Sequence, residues 1–147
     1  AIYISDEYTK STAVDFFNSN YRNFLRQIEK YSIKFCKSAS DIDYAQKNSV
    51  CSAFLTVENG NVLAGDIGRV KFISNLGVRV LTLVWNGENE IGSGNETDNG
   101  LSAFGRTVIP ELEKNGIIID VSHLNDVGFW DFINLPKKPF LASMVIL

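Results

Sequence analysis

The chain has a single histidine, His123, in the stretch GIIIDVSHLND at residues 116–126. An imidazole can ligate a metal or move protons near neutral pH, but it needs partners for either task. Candidate partners stand where other apolar runs stop. The run ending TVENG closes on Glu58, the run ending LVWNGEN on Trp85 and Asn86, and the run PFLASM on Ser143 and Met144. A carboxylate and an imidazole on one rim form the beginning of a metal site or an acid–base pair. The competing structural reading makes Glu58 a solvated loop residue, Trp85 a core aromatic, and His123 a packed loop residue with satisfied nitrogens.

Which reading holds depends on whether the intervening elements bring these residues together. AIYIS, at the start, reads as a strand. Over residues 11–31, Val14, Phe16, Phe17, Tyr21, Phe24, Leu25 and Ile28 recur at three- and four-residue spacing, the period of an amphipathic helix. SIKFCKS suits a short strand, and Ser40 the N-cap of a helix to about Lys47, with Asp41 and Asp43 in its first turn. Residues 49–58, SVCSAFLTVE, form an apolar run without polar alternation, as in a strand covered on both faces. Ile67, Val70, Phe72, Ile73 and Leu76 mark a further helix, closed by Gly77. VRVLTLVW is the next strand; after a Gly/Asn-rich loop comes the helix SAFGRTVIPELEKNG, in which Pro110 is costly unless it marks a kink. IIIDVS, a helix opened by Asn125 or Asp126, and a last strand PFLAS complete the pattern.

Strand and helix alternate throughout, which predicts a parallel sheet with covering helices. An open doubly wound sheet and a (β/α)8 barrel both satisfy it. Neither G-x-G-x-x-G nor G-x-x-x-x-G-K-[ST] follows a strand, which weighs against nucleotide binding. In a barrel, chemistry gathers at the C-terminal ends of the strands. Glu58, Trp85, His123 and Met144 all stand at such ends.

Composition bounds the alternatives. With 147 residues, 45% of them hydrophobic, the chain can bury one sizeable core. A net charge of −3 excludes the basic signature of a nucleic-acid binder. Cys36 and Cys51 lack metal-motif spacing and read as buried free thiols. No apolar run approaches the ~18 residues of a membrane span, and no signal peptide opens the sequence, so a cytoplasmic location is the expectation. Asn95-Glu96-Thr97 is a glycosylation sequon by form, read here as coincidence. Strand-like sequence at both ends suggests a segment of something larger, or one half of an assembly.

Over residues 40–143 the stretches ENG, LGVRVLTLVWNGENEIGSG, NGLSAFGRTVIPELEKNGIIIDVSHLND, GFWD and KKPFLAS follow one another in order. Together they resemble the membrane dipeptidase (renal dipeptidase) family of zinc metallopeptidases. The resemblance implies a (β/α)8 barrel with two zinc ions that share a carboxylate and activate a water to hydrolyse dipeptides. Glu58 takes the place of the bridging carboxylate, with Asn59 departing from the usual Glu-Gly-Gly. His123 takes the place of the first of two histidines on the second metal, and Met144 stands where the other is expected. Trp85, followed by Asn86, stands where many members have a substrate-contacting histidine. The family's His-x-Asp pair is absent.

The resemblance makes residues 1–147 a single segment, about half, of a dipeptidase-like barrel domain. It implies a dipeptide substrate and zinc for the intact protein, and a chain too poor in ligands to retain zinc or activity alone. A homo-oligomer is possible; nucleic acid and a membrane segment are not expected. The alternatives are an inactive fragment or pseudoenzyme with a structural or interaction role, and another amidohydrolase-type metal hydrolase.

Overall fold

The computed structural model describes residues 1–144; the strand-like reading of residues 145–147 lies outside them. The described elements are β1 (Ile2–Tyr3), α1 (Lys10–Lys30), β2 (Lys34–Phe35), α2 (Ala39–Lys47), β3 (Ser52–Ala53) and β4 (Leu55–Glu58). A 3-10 turn (Gly60–Leu63), α3 (Gly68–Leu76), β5 (Val78–Thr82), α4 (Ala103–Lys114), β6 (Ile118–Asp120) and α5 (Asp126–Phe132) follow. The main sheet has the order β1-β4-β5-β6, every neighbouring pair parallel. β2 and β3 form a separate parallel pair.

Each helix forms where local sequence provides both a start and an apolar face. Thr9 caps α1 by accepting from the Thr12 N–H, and α1 buries Ala13 and Phe17 with Phe16, Tyr21 and Phe24 packed alongside. Leu25, part of the apolar spacing, lies at the outer edge of that face and stays exposed. The Tyr21 hydroxyl donates to the Leu76 carbonyl, 3.0 Å, fastening α1 to the end of α3. There Gly77 adopts φ 102°, a left-handed closure that glycine makes without a Cβ penalty. Pro110 sits inside α4 without ending it; the helix runs on to Lys114 and buries Val108, Ile109 and Leu112.

Four sequence expectations are corrected. The cap of α2 is Ser38, not Ser40: its hydroxyl accepts from the Asp41 N–H, 3.2 Å. Residues 49–58 are two strands, because the chain changes partners at Phe54. β3 pairs with β2, while β4 inserts between β1 and β5, with a register shift at Leu55/Thr56. PFLAS contributes only a parallel bridge, Leu141 to Asp120, since no strand pairs with its far side among the described residues. Cys36 is buried, but Cys51, just before the marginal β3, is exposed.

Helices α1, α3, α4 and α5 cover one face of the main sheet. Leu55, Val57, Leu81 and Ile119 point into that core with Phe17, Leu63, Ile73 and Phe132. Burial of one such side chain is worth about 1.5–3 kcal/mol. The register Tyr3↔Glu58↔Thr82↔Asp120 places four residues in one row near the C-terminal ends of the strands. One step back, Thr56↔Val80↔Ile118 form the next row. Because side chains alternate along a strand, both rows face away from the helices. The open face is thus polar at the C-terminal end and apolar toward the other.

Candidate metal centre at the strand ends

Glu58 is the last residue of β4, directed outward by the alternation that buries Val57. Behind it the chain turns at Asn59, with φ 84° and ψ 118°, and then passes close under β5. A Cβ on Gly60 would stand 2.6 Å from the Leu83 carbonyl, so only glycine lets the turn approach. Asn59 is fully buried and its amide is fully used. Its Nδ2 donates to the Ile4 carbonyl (2.9 Å) and to Asp6 Oδ1 (2.6 Å), and its Oδ1 accepts from the Asn61 N–H (3.1 Å) and Asn89 Nδ2 (2.8 Å). Asp6 in turn accepts from the Gly87 N–H, 2.7 Å. One side chain therefore ties together the loops after β1, β4 and β5.

His123 follows β6 by three residues, at φ 70°, which turns its ring back over the sheet. Its Nε2 is 3.5 Å from Glu58 Oε1. That contact is too poor to be a hydrogen bond, and Nε2 is buried without any partner among the described residues. Trp85 stands beside this pair, its ring 6.5 Å from that of His123 and edge-on to Tyr3 at 5.1 Å. Asn86 turns elsewhere, donating from Nδ2 to Glu96 Oε1 at 3.3 Å.

Glu58, Thr82, Asp120, His123, Ser143 and Met144 line one cavity of about 220 Å³. Asp120 organises its floor. Oδ1 accepts from the Ser122 N–H (3.0 Å), the Ser122 hydroxyl (2.7 Å) and the Ser143 N–H (3.2 Å). Oδ2 accepts from the Thr82 hydroxyl, 3.1 Å, and from the Ser143 hydroxyl. Burial alone pushes this carboxyl up, but the donors from Ser143 and Ser122 together outweigh it and hold it below its ordinary value. Asp120 is an ionised anchor with its lone pairs occupied by these donors.

Glu58 and His123 are thus brought together at one end of the sheet. Trp85 stands beside His123, but neither it nor Asn86 lines the cavity. The anchors Asn59, Asp6, Asn89 and Asp120 escaped the sequence reading of the site. The single available signal was Asn59 in a turn where glycine is easier.

Glu58 and His123 are the cavity's candidate metal-binding pair. An orphaned imidazole nitrogen facing a carboxylate oxygen suits a divalent cation between or beside them. Among the described residues, no three His, Cys, Asp or Glu side chains cluster closely enough to hold a metal ion by themselves.

Comparison with known proteins agrees with this architecture. The model of the membrane dipeptidase family (peptidase family M19) matches residues 1–145. The chain is 28% identical over 130 residues to an uncharacterized protein in the pqqA 5′ region of Klebsiella pneumoniae, covering 81% of this chain and 48% of that protein. It superimposes on an amidohydrolase from Pseudomonas aeruginosa with a TM-score of 0.83 at 25% identity, over 94% of this chain and 42% of the other. It likewise matches a metallo peptidase from Rhodobacter sphaeroides, liganded with a phosphinate mimic of the dipeptide L-Ala-D-Ala. The TM-score is 0.81 at 22% identity, over 90% and 41% of the two chains. This chain spans less than half the length of each of these proteins.

Proposed function

The chain belongs to the membrane dipeptidase family, its βα units forming part of a (β/α)8 barrel, and from that premise we propose that Glu58 and His123 supply one wall of a zinc-dependent dipeptidase site. The observation that carries this reading is the buried, unpartnered His123 Nε2 facing Glu58 Oε1 at 3.5 Å. Leaving such a nitrogen unpaired costs about 1–3 kcal/mol, a cost that a metal ligand recovers on binding its ion.

When bound, zinc supplies Lewis acidity toward a carbonyl oxygen and lowers the pKa of water toward neutrality. The residues of this chain do the positioning. Glu58 offers a carboxylate oxygen from a strand end braced by Asn59. His123 offers Nε2, from a turn that Asp120 anchors through Ser122. Trp85, its ring 6.5 Å from that of His123, carries an indole N–H that can donate a hydrogen bond but cannot exchange protons at neutral pH. A dipeptide is the substrate this reading implies, and residues 1–147 are a single segment of the catalytic domain.

A structural segment without activity is the second reading, supported by the shortage of ligands among the described residues. One experiment separates the two: a zinc titration joined to an assay of Gly-D-Ala hydrolysis, on the protein in its full encoded length. The dipeptidase reading expects zinc-dependent hydrolysis, with kcat/KM falling about a thousandfold or more in both Glu58→Gln and His123→Ala. Absence of hydrolysis at saturating zinc would establish the structural reading instead.

A further inference from the structure

A third side chain enters the same cavity. The parallel bridge from Leu141 to Asp120 lays the last described residues alongside the end of β6. Beyond Asp120 the chain turns, the Leu124 N–H donating to the Val121 carbonyl at 3.2 Å. Side-chain acceptors on β6 and this turn hold the residues after Leu141. The Ser143 N–H donates to Asp120 Oδ1 at 3.2 Å, and the Met144 N–H to the Ser122 hydroxyl at 2.9 Å. Met144 lines the cavity with Glu58 and His123 while remaining 54% exposed.

Residue 144 therefore faces the same cavity as Glu58 and His123, where a third donor is missing, but the side chain there is a thioether. Zinc prefers imidazole, thiolate and carboxylate, and thioethers suit softer ions such as Cu(I). We propose that the thioether of Met144, in a lining position open to a ligand, leaves the Glu58–His123 pair one donor short of a three-residue zinc site. This rests on the reading of that pair as metal ligands. It assigns residue 144 as the determinant of which metals this cavity accepts.

The test is zinc binding to the 147-residue chain, measured by equilibrium dialysis with elemental analysis. Circular dichroism checks each variant's fold, and the exposure of Met144 makes its replacement tolerable. Wild type should retain little zinc, and Met144→Leu should bind no worse. Met144→His should gain roughly a hundredfold in affinity, because a His2Glu set becomes available. The same variant loaded with Co2+ should give the visible absorption of a low-coordinate N/O site. Adding His123→Ala should abolish the gain. Tight, stoichiometric zinc in the wild type that depends on His123, or weaker binding in Met144→Leu, overturns the proposal while leaving the Glu58–His123 reading intact. No gain in Met144→His also overturns it. A gain that survives His123→Ala refutes the metal-ligand reading of the pair itself.

Discussion

Asn59 holds a backbone conformation that glycine would hold with less strain, yet its side chain makes four hydrogen bonds from a fully buried position. The two replacements that remove those bonds should therefore differ. Asn59→Ala loses them and keeps the strain, so we expect about 3 kcal/mol of destabilisation. Asn59→Gly loses them but relaxes the backbone, and should be milder by about 1 kcal/mol. Urea unfolding of both variants decides this; an alanine variant no worse than glycine would show that the backbone is not strained. The same residue marks the limit of sequence reading at this scale. Glu58 and His123 were legible because each ends an apolar run, a local signal. The clamp behind Glu58 was not, because Asn59 meets Asp6 and Asn89 across 53 and 30 residues of chain. Asp120 was hidden likewise, since its partners Thr82 and Ser143 come from a neighbouring strand and from the chain after α5.

Helix α2 shows the same division at the scale of an element. Its existence was legible from serine and aspartate ahead of a polar helical run, but its start was displaced from Ser40 to Ser38. Three closely spaced serine and aspartate residues offer several equivalent caps, and tertiary contacts choose among them. Here the choice falls where Asp41 can accept from the Lys37 N–H (3.0 Å) and the Ser38 hydroxyl (2.8 Å) while pairing with Lys34 (3.1 Å). Those contacts, the Lys37 N–H foremost, hold the Asp41 carboxyl down to about 2. A carboxyl depressed in the folded state stabilises fully above its unfolded value, near ~3.9, and the benefit is lost as pH falls through the folded value. The stability gap between wild type and Asp41→Ala should therefore narrow as pH drops from about 5 to about 2. A gap that stays constant over that range would mean that Asp41 acts through helix propensity alone. Ser38→Ala should cost about 1 kcal/mol, whereas Ser40→Ala should be near neutral. The split of residues 49–58 at Phe54 has a related cause. Propensity reads a continuous β-prone run, and only the pairing partners reveal that it serves two sheets.

At the scale of the molecule, alternation of strands and helices was enough to read parallel βα architecture, because each crossover has a local signature. What alternation could not reveal is how much of the sheet's second face is left uncovered. Phe54, Ile118 and Leu141 are 52%, 44% and 41% exposed. With Val80, and with Ile42 of α2, they border a groove of about 590 Å³ on the open face of the main sheet. The sheet ends at β1 on one side and at the single Leu141 bridge on the other among the described residues, so unpaired backbone adjoins the apolar face. Open apolar surface next to open strand edges drives association. The 147-residue chain, prepared alone, should accordingly self-associate, with a mass by light scattering that rises with concentration. Phe54→Glu combined with Ile118→Glu should shift it toward monomer with little change in Tm, since neither side chain lies in the helix-covered core. Charge introduced at Trp130, exposed on α5 at the opposite side of the sheet, is the control and should leave the mass unchanged. A wild-type chain that stays monomeric across the concentration series would mean that the open face is tolerated in water. Dissociation on changing Trp130, but not Phe54 and Ile118, would place the contact on the helical side instead.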